Sequence, residues 1–169
     1  RLYAWIVLLQ KSGLVNGLLL RLGIVEQPLA LVYNRTGVIV GMVHVLLPFM
    51  ILPLYSVMKG IDPNLLAAAR NLGGTPVQAF RRVFLPLTYP GIGAGMLIVF
   101  MLSIGYFVTP ALLGGLRETF IAQLIEQQVS ILIDWNFAAA LAVLLLAVTL
   151  VVYCLFNRVL GLDRIWGGV

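Results

Sequence analysis

The sequence predicts an all-α fold, a polytopic transmembrane helix bundle carrying a helix–glycine–helix element outside the bilayer. Three observations predict it. Hydrophobic residues make up 62% of the 169 positions and charged residues 10%, a balance that a water-facing surface does not tolerate. Three runs, 38–57, 90–108 and 137–156, hold no formal charge, and each is about the 20 residues that cross a ~30 Å hydrocarbon core at 1.5 Å per residue. Between the first two runs lies a polar stretch, 62–86, with start and stop signals for two helices.

At the N-terminal end, the first apolar run, 2–9, is too short to span and no small-residue cleavage site comes after it, so it reads as the end of a span that begins upstream. On that reading 1–169 is the C-terminal part of one longer transmembrane domain. From 10 to 35, Lys11, Arg21, Glu26 and Arg35 alternate with leucine-rich pieces, as in an extramembrane loop with one short interfacial helix, and Pro28 interrupts any regular structure beyond that helix. In the span 38–57, Pro48 and Pro53 are expected to kink the helix and free carbonyls that protein or a polar cavity must cover. His44 lies in the same span. A proton relay there would need a second ionisable group in a neighbouring span, so a hydrogen bond to a neighbouring helix or to pore water is the simpler role.

The stretch 62–86 carries its own punctuation. Asp62 can cap a helix whose first residue is Pro63, and Gly73-Gly74 ends it with a left-handed turn. Thr75, Pro76 and Gln78 then form a capping box for a second short helix. The first helix presents Ala67, Ala68 and Ala69, a nearly bare surface that another protein can approach closely. The second presents Val77, Phe80 and Phe84 as an apolar stripe beside Arg81 and Arg82. The same features also suit an ordinary amphipathic loop between two spans.

Beyond the elbow, Gly91 and Gly95 open the span 90–108 at G-x-x-x-G spacing, with Ala94 alongside, so another helix can pack closely at that end. The loop 117–136 holds an amphipathic helix, with Phe120, Ile121, Leu124, Ile125 and Val129 on one side and Glu118, Glu126 and Gln127 on the other. The last span, 137–156, is followed by Arg158, Arg164 and an interfacial Trp166. Charge sets the orientation. The elbow region has Lys59, Arg70, Arg81 and Arg82 against Asp62, whereas the loop 117–136 has one arginine against Glu118, Glu126 and Asp134, which puts the elbow and the C-terminus in the cytoplasm. The net charge of +5 therefore reads as topology, with lipid as a partner and no nucleic acid. The single Cys154 leaves no disulfide framework and no metal cluster.

The segment 67–86 resembles the cytoplasmic signature of binding-protein-dependent (type I) ABC importer permeases: E-A-A, three residues, G, nine residues, I, one residue, L-P. Ala68, Ala69, Gly73, Leu85 and Pro86 match it, Val83 stands for the Ile, and Ala67 stands where the family usually has Glu. In that family the element is the coupling helix that docks into a groove on the ATP-hydrolysing subunit. The resemblance thus implies docking through Ala67, Ala68, Ala69, Arg70, Gly73, Phe80, Arg81, Val83 and Pro86. The runs G-Y-F-V-T-P-A-L-L-G-G at 105–115 and P-F-M-I-L-P-L-Y at 48–55 are similar to spermidine/putrescine-type permeases, many of which have an acidic residue where Tyr106 stands. The likeness implies a bacterial inner-membrane, multi-pass permease subunit. Its partners would be a second permease subunit, an ABC ATPase dimer carrying ATP and Mg, and a periplasmic solute-binding protein. The cargo implied is a polyamine or a similar small organic compound.

The residue inventory constrains mechanism separately. Neither Lys11 nor Lys59 sits in a G-x-x-x-x-G-K-[ST] loop, so this chain does not cradle ATP in that way, and no cofactor is expected in it. An intramembrane enzyme needs facing catalytic groups, but the spans hold one His, one Cys and no carboxylate, so no catalytic residue and no metal ligand is assigned. An ion-coupled secondary transporter or channel subunit is the alternative, and such proteins usually place ionisable groups near the midplane. Every Asp and Glu lies outside the proposed spans, so a cationic solute meets only aromatic faces and neutral dipoles. Candidates along its path are His44, Tyr106, Phe107 and Thr109. Tyr106 and Phe107 suit cation–π contact or a gate, and equally an interfacial belt.

Overall fold

A computed structural model of the protein describes residues 2–115 and 118–160. Arg117, Asp163, Arg164, Trp166 and the C-terminus lie outside the described residues. Among those described, all regular structure is helical: α1 (Leu2–Leu9), α2 (Leu14–Arg21), α3 (Arg35–Lys59), α4 (Pro63–Asn71), α5 (Pro76–Ala79), a π-helical turn (Phe80–Phe84), α6 (Leu85–Ile104), α7 (Val108–Leu113), α8 (Ile121–Ser130) and α9 (Trp135–Leu160). Among the described residues, four stretches are long and apolar enough to cross a membrane: Leu2–Arg21, Arg35–Lys59, Pro76–Ile104 and Trp135–Arg158. The first is not one straight helix, since residues 10–13 interrupt it and α1 packs against α2. The chain divides into two compact units, Arg1–Leu46 with Leu102–Ala147 and Leu47–Met101 with Val148–Val169.

In the first unit the core gathers around a notch in α3. Leu9, Val38, Met42, Leu46, Leu113 and Ala138 are buried. Gly41 makes the notch: a Cβ there would lie 2.5 Å from Leu113 Cδ1 and 2.8 Å from Thr109 Cγ2, so only hydrogen leaves room for α7. Leu113 is completely buried as a result. Asn16 is the polar pin of this unit. Its amide donates to the carbonyls of Gln10 (3.1 Å) and Leu29 (2.9 Å), while its Oδ1 accepts the Leu29 N–H (2.8 Å). A fully buried amide is stable there because those bonds replace the ones it would make to water.

In the second unit the latter half of α3 packs against α6 through the glycine pair. A Cβ at Gly91 would lie 3.0 Å from Val57 Cβ and 3.2 Å from Leu54 Cα, and one at Gly95 would lie 2.7 Å from Met50 Sδ and 3.1 Å from its carbonyl oxygen. Backbone thus approaches backbone, the packing that replaces a hydrophobic driving force between helices in lipid. Thr88, also buried, satisfies its hydroxyl on the Leu85 carbonyl at 2.7 Å.

Two expectations change here. The second elbow helix is not short: α5, the π turn and α6 run on without a break from Pro76 to Ile104. Pro86 does not stop it, because the Leu85 N–H reaches back five residues to the Phe80 carbonyl and the widened turn takes up the misfit before the Pro86 ring, and Pro90 sits inside the same continuous helix. The helix through 90–108 also ends earlier than its composition suggests. It stops at Ile104, residues 105–107 break it, and α7 starts at Val108. In α3, by contrast, Pro48 and Pro53 sit inside an unbroken helix, each leaving the carbonyl four residues earlier without its helical donor.

Candidate functional site

The elbow is built by local bonds. Asp62 Oδ1 accepts the Asn64 N–H at 2.9 Å, starting α4 at Pro63. At the other end the Gly74 N–H bonds to the Ala69 carbonyl (3.1 Å) and the Gly73 N–H to the Arg70 carbonyl (2.9 Å), the paired bonds of a Schellman motif. Gly73 has φ +84°, a left-handed conformation in which a side chain would be strained. Thr75 and Gln78 complete the capping box: Thr75 Oγ1 accepts the Gln78 N–H (3.3 Å) and Gln78 Oε1 accepts the Thr75 N–H (2.9 Å). The chain therefore turns through Leu72, Gly73 and Gly74 with its helix-end groups satisfied. α4 packs back onto α5 and the π turn, and Ala79 is buried at 3% exposure.

What remains outside is an apolar and basic surface. Ala67, Ala68, Arg70, Gly73, Phe80, Arg81 and Pro86 are exposed, while Ala69 and Val83 are half-buried. Phe80 stacks on Phe84 with ring centroids 5.5 Å apart, which holds it upright with half of its surface free. Val77, Gln78, Arg81 and Arg82 line an open groove of about 410 Å³. Sequence reasoning missed Leu72. At 88% exposure it is the most exposed large apolar side chain among the described residues, and it projects from the turn itself. The available signal was a single leucine between Asn71 and Gly73, at a helix end where its neighbours cannot cover it.

The proposed path residues are not brought into one cluster. His44 is exposed, and its ring meets Trp5 of α1 edge to face, 5.6 Å between centroids at 69°. Thr109 sits at the Gly41 notch, one turn before His44 on α3. It is fully buried and its hydroxyl has no hydrogen-bond partner. Tyr106 is half-buried in the break between α6 and α7, and Phe107, at the N-cap of α7, is exposed. Among the described residues no three His, Cys, Asp or Glu side chains converge as metal ligands would.

With this geometry in view, the chain matches over residues 6–161 the family described as binding-protein-dependent transport system inner membrane component. It is similar to the spermidine/putrescine transport system permease protein PotB of Escherichia coli (strain K12), at 39% identity over 95% of this chain and 60% of the relative. PotB of Haemophilus influenzae is 40% identical over 95% and 57%. The inner membrane ABC transporter permease protein YdcU of Escherichia coli (strain K12) is 33% identical over 94% and 54%. The chain spans about 60% of the length of the first of these relatives.

Proposed function

The chain belongs to the inner membrane component family of binding-protein-dependent transport systems, and from that premise we propose that it is the coupling half of a permease subunit in an ATP-driven importer. In this reading it forms, with a second permease subunit, the route through a bacterial inner membrane, while an ABC ATPase dimer binds ATP and Mg and docks on the elbow from the cytoplasm. A periplasmic solute-binding protein delivers the cargo. The chain itself performs no catalysis. The cargo is a polyamine or a similar small organic compound, a reading supported by the spermidine/putrescine permeases that align with nearly all of it.

The observation that carries this reading is the continuity of the elbow with a span. A push on α4 is received at a turn locked by the Schellman bonds and the capping box, and α5, the π turn and α6 carry it onward as one helix. At Gly91 and Gly95 that helix lies tightly against Met50, Leu54 and Val57 of α3, where close packing leaves no slack to absorb the motion. The exposed Leu72, Val77 and Phe80 supply apolar contacts for the docking subunit, and Arg70, Arg81 and Arg82 supply charge around them.

Leu72→Asp tests this reading, because an 88% exposed side chain can be changed without disturbing packing. In proteoliposomes holding the full transporter, with binding protein and ATP, wild type is expected to accumulate radiolabelled spermidine or putrescine. Leu72→Asp should reduce uptake at least tenfold, the effect of losing a buried apolar anchor. Uptake driven by a proton gradient without ATP, or unaffected by Leu72→Asp, would instead favour the secondary transporter.

A further inference from the structure

We propose that the outer face of α2 is a seat for one membrane phospholipid, with Arg21 holding the headgroup phosphate and the groove beside Gly17 receiving the first part of an acyl chain. The argument starts at Asn16. Its three hydrogen bonds to Gln10 and Leu29 pin one side of α2 inward, which fixes the helix's rotation. At about 100° per residue, Leu14, Leu18 and Arg21 then fall on the opposite side, with Gly17 between that face and the pinned one. The exposures agree: Leu14 is 68% and Leu18 55% exposed, and Leu22, just past the helix, is 68% exposed.

This face is a groove rather than a flat stripe. Ser12, Gly13, Leu14, Gly17, Leu18 and Arg21 line an open groove of about 270 Å³, and a Cβ placed on Gly17 would meet nothing within 4 Å. Leucines form the walls, and the exposed cation Arg21 stands at one end. An apolar channel with a cation at its mouth matches the chemistry of a phospholipid, whose acyl chain and phosphate meet at the same depth. Arg21 suits the phosphate because its planar fork donates two parallel hydrogen bonds. The groove also belongs to a stretch, Leu2–Arg21, that is apolar enough to cross a membrane. α1 packs against α2, and its Tyr3 (73%) and Val7 (60%) are exposed on the same stretch. The inference stands on membrane location alone and holds whichever solute is carried.

The test uses the full-length permease, purified with the subunits that accompany it, stripped of endogenous lipid and assayed by native mass spectrometry. Probes are phosphatidylglycerol, phosphatidylethanolamine and inorganic phosphate. Wild type is expected to retain either lipid and no inorganic phosphate. Arg21→Gln should weaken phosphatidylglycerol binding about tenfold, the loss of one charge-assisted contact. Gly17→Leu should fill the groove and displace both lipids without lowering the melting temperature, since the new side chain points into open space. A nitroxide at Leu18→Cys, in a Cys154→Ser background, should be more accessible to oxygen than to a water-soluble nickel complex. Unchanged lipid retention in both variants would overturn the proposal. So would binding of inorganic phosphate as tight as that of lipid, or a nitroxide open to water and shielded only by the soluble binding protein.

Discussion

The elbow at 62–86 and the break at 105–115 both join a helix end, through glycine, to a new helix, yet opposite means hold them. In the elbow every stabilising bond spans five residues or fewer: Asp62 to Asn64, Thr75 to Gln78, Gly74 to Ala69. At the break, α7 has no side-chain N-cap. It is placed by Thr109 and Leu113 entering the notch at Gly41, far upstream in the chain, and by Gly114 lying against Val38. The difference teaches where each kind of instruction belongs. An element that stands exposed and meets a partner has no core to shape it, so it carries its own caps. A buried one can leave its shape to the surface that receives it.

The largest expected effect attacks the buried region. Gly41→Leu puts a side chain where Leu113 and Thr109 already sit, and overpacking of this kind costs about 3 kcal/mol. A clear fall in the detergent melting temperature is expected, with faster proteolysis at 105–107. Wild-type melting would mean that the notch does not place α7.

Gly73→Val comes next. Val at φ +84° is strained by roughly 1–2 kcal/mol, and no neighbour lies within 4 Å of its Cβ to add a clash. The chain should therefore insert and melt nearly normally while ATP-driven uptake collapses, because α4 and α5 no longer meet at the same angle. Normal uptake by this variant would show that the elbow's geometry is dispensable, and the contrast between the two regions would lose its functional meaning.

Thr75→Ala is the mildest. It removes one half of the capping box, worth ~1 kcal/mol, and leaves the Gln78 acceptor in place. Circular dichroism of the full chain should show little change, and binding-protein-stimulated ATP hydrolysis should fall severalfold. A loss as large as that from Gly73→Val would place the main constraint in the cap and not in the glycine.

Much of this architecture was legible in the residues. The caps at Asp62 and Thr75 and the stop at Gly73 act over one helical turn, so their residue types alone state them. The apolar runs inside α3 and α9 were visible for a similar reason, since lipid tests each residue separately and a run of uncharged side chains satisfies it. Within the candidate site, the exposed alanines, Phe80 and the arginines could be named in advance for the same local reason.

Other features had no such local statement. The capping box predicts a second short helix, yet the π turn before Pro86 lets one helix run from the elbow into the span, through a bond from the Leu85 N–H to the Phe80 carbonyl. The exposure of Leu72, the burial of Thr109 and the edge-on contact between Trp5 and His44 each depend on which surface folds against which. Gly41 is the clearest case. As a sequence character it is one glycine among 17; as a notch it decides where α7 lies. Sequence alone determined helix type, membrane class and the capped elbow, because those arise from energies of single residues and single turns. Only the tertiary structure decided burial and placement, because these are set by steric fit between segments distant in the chain.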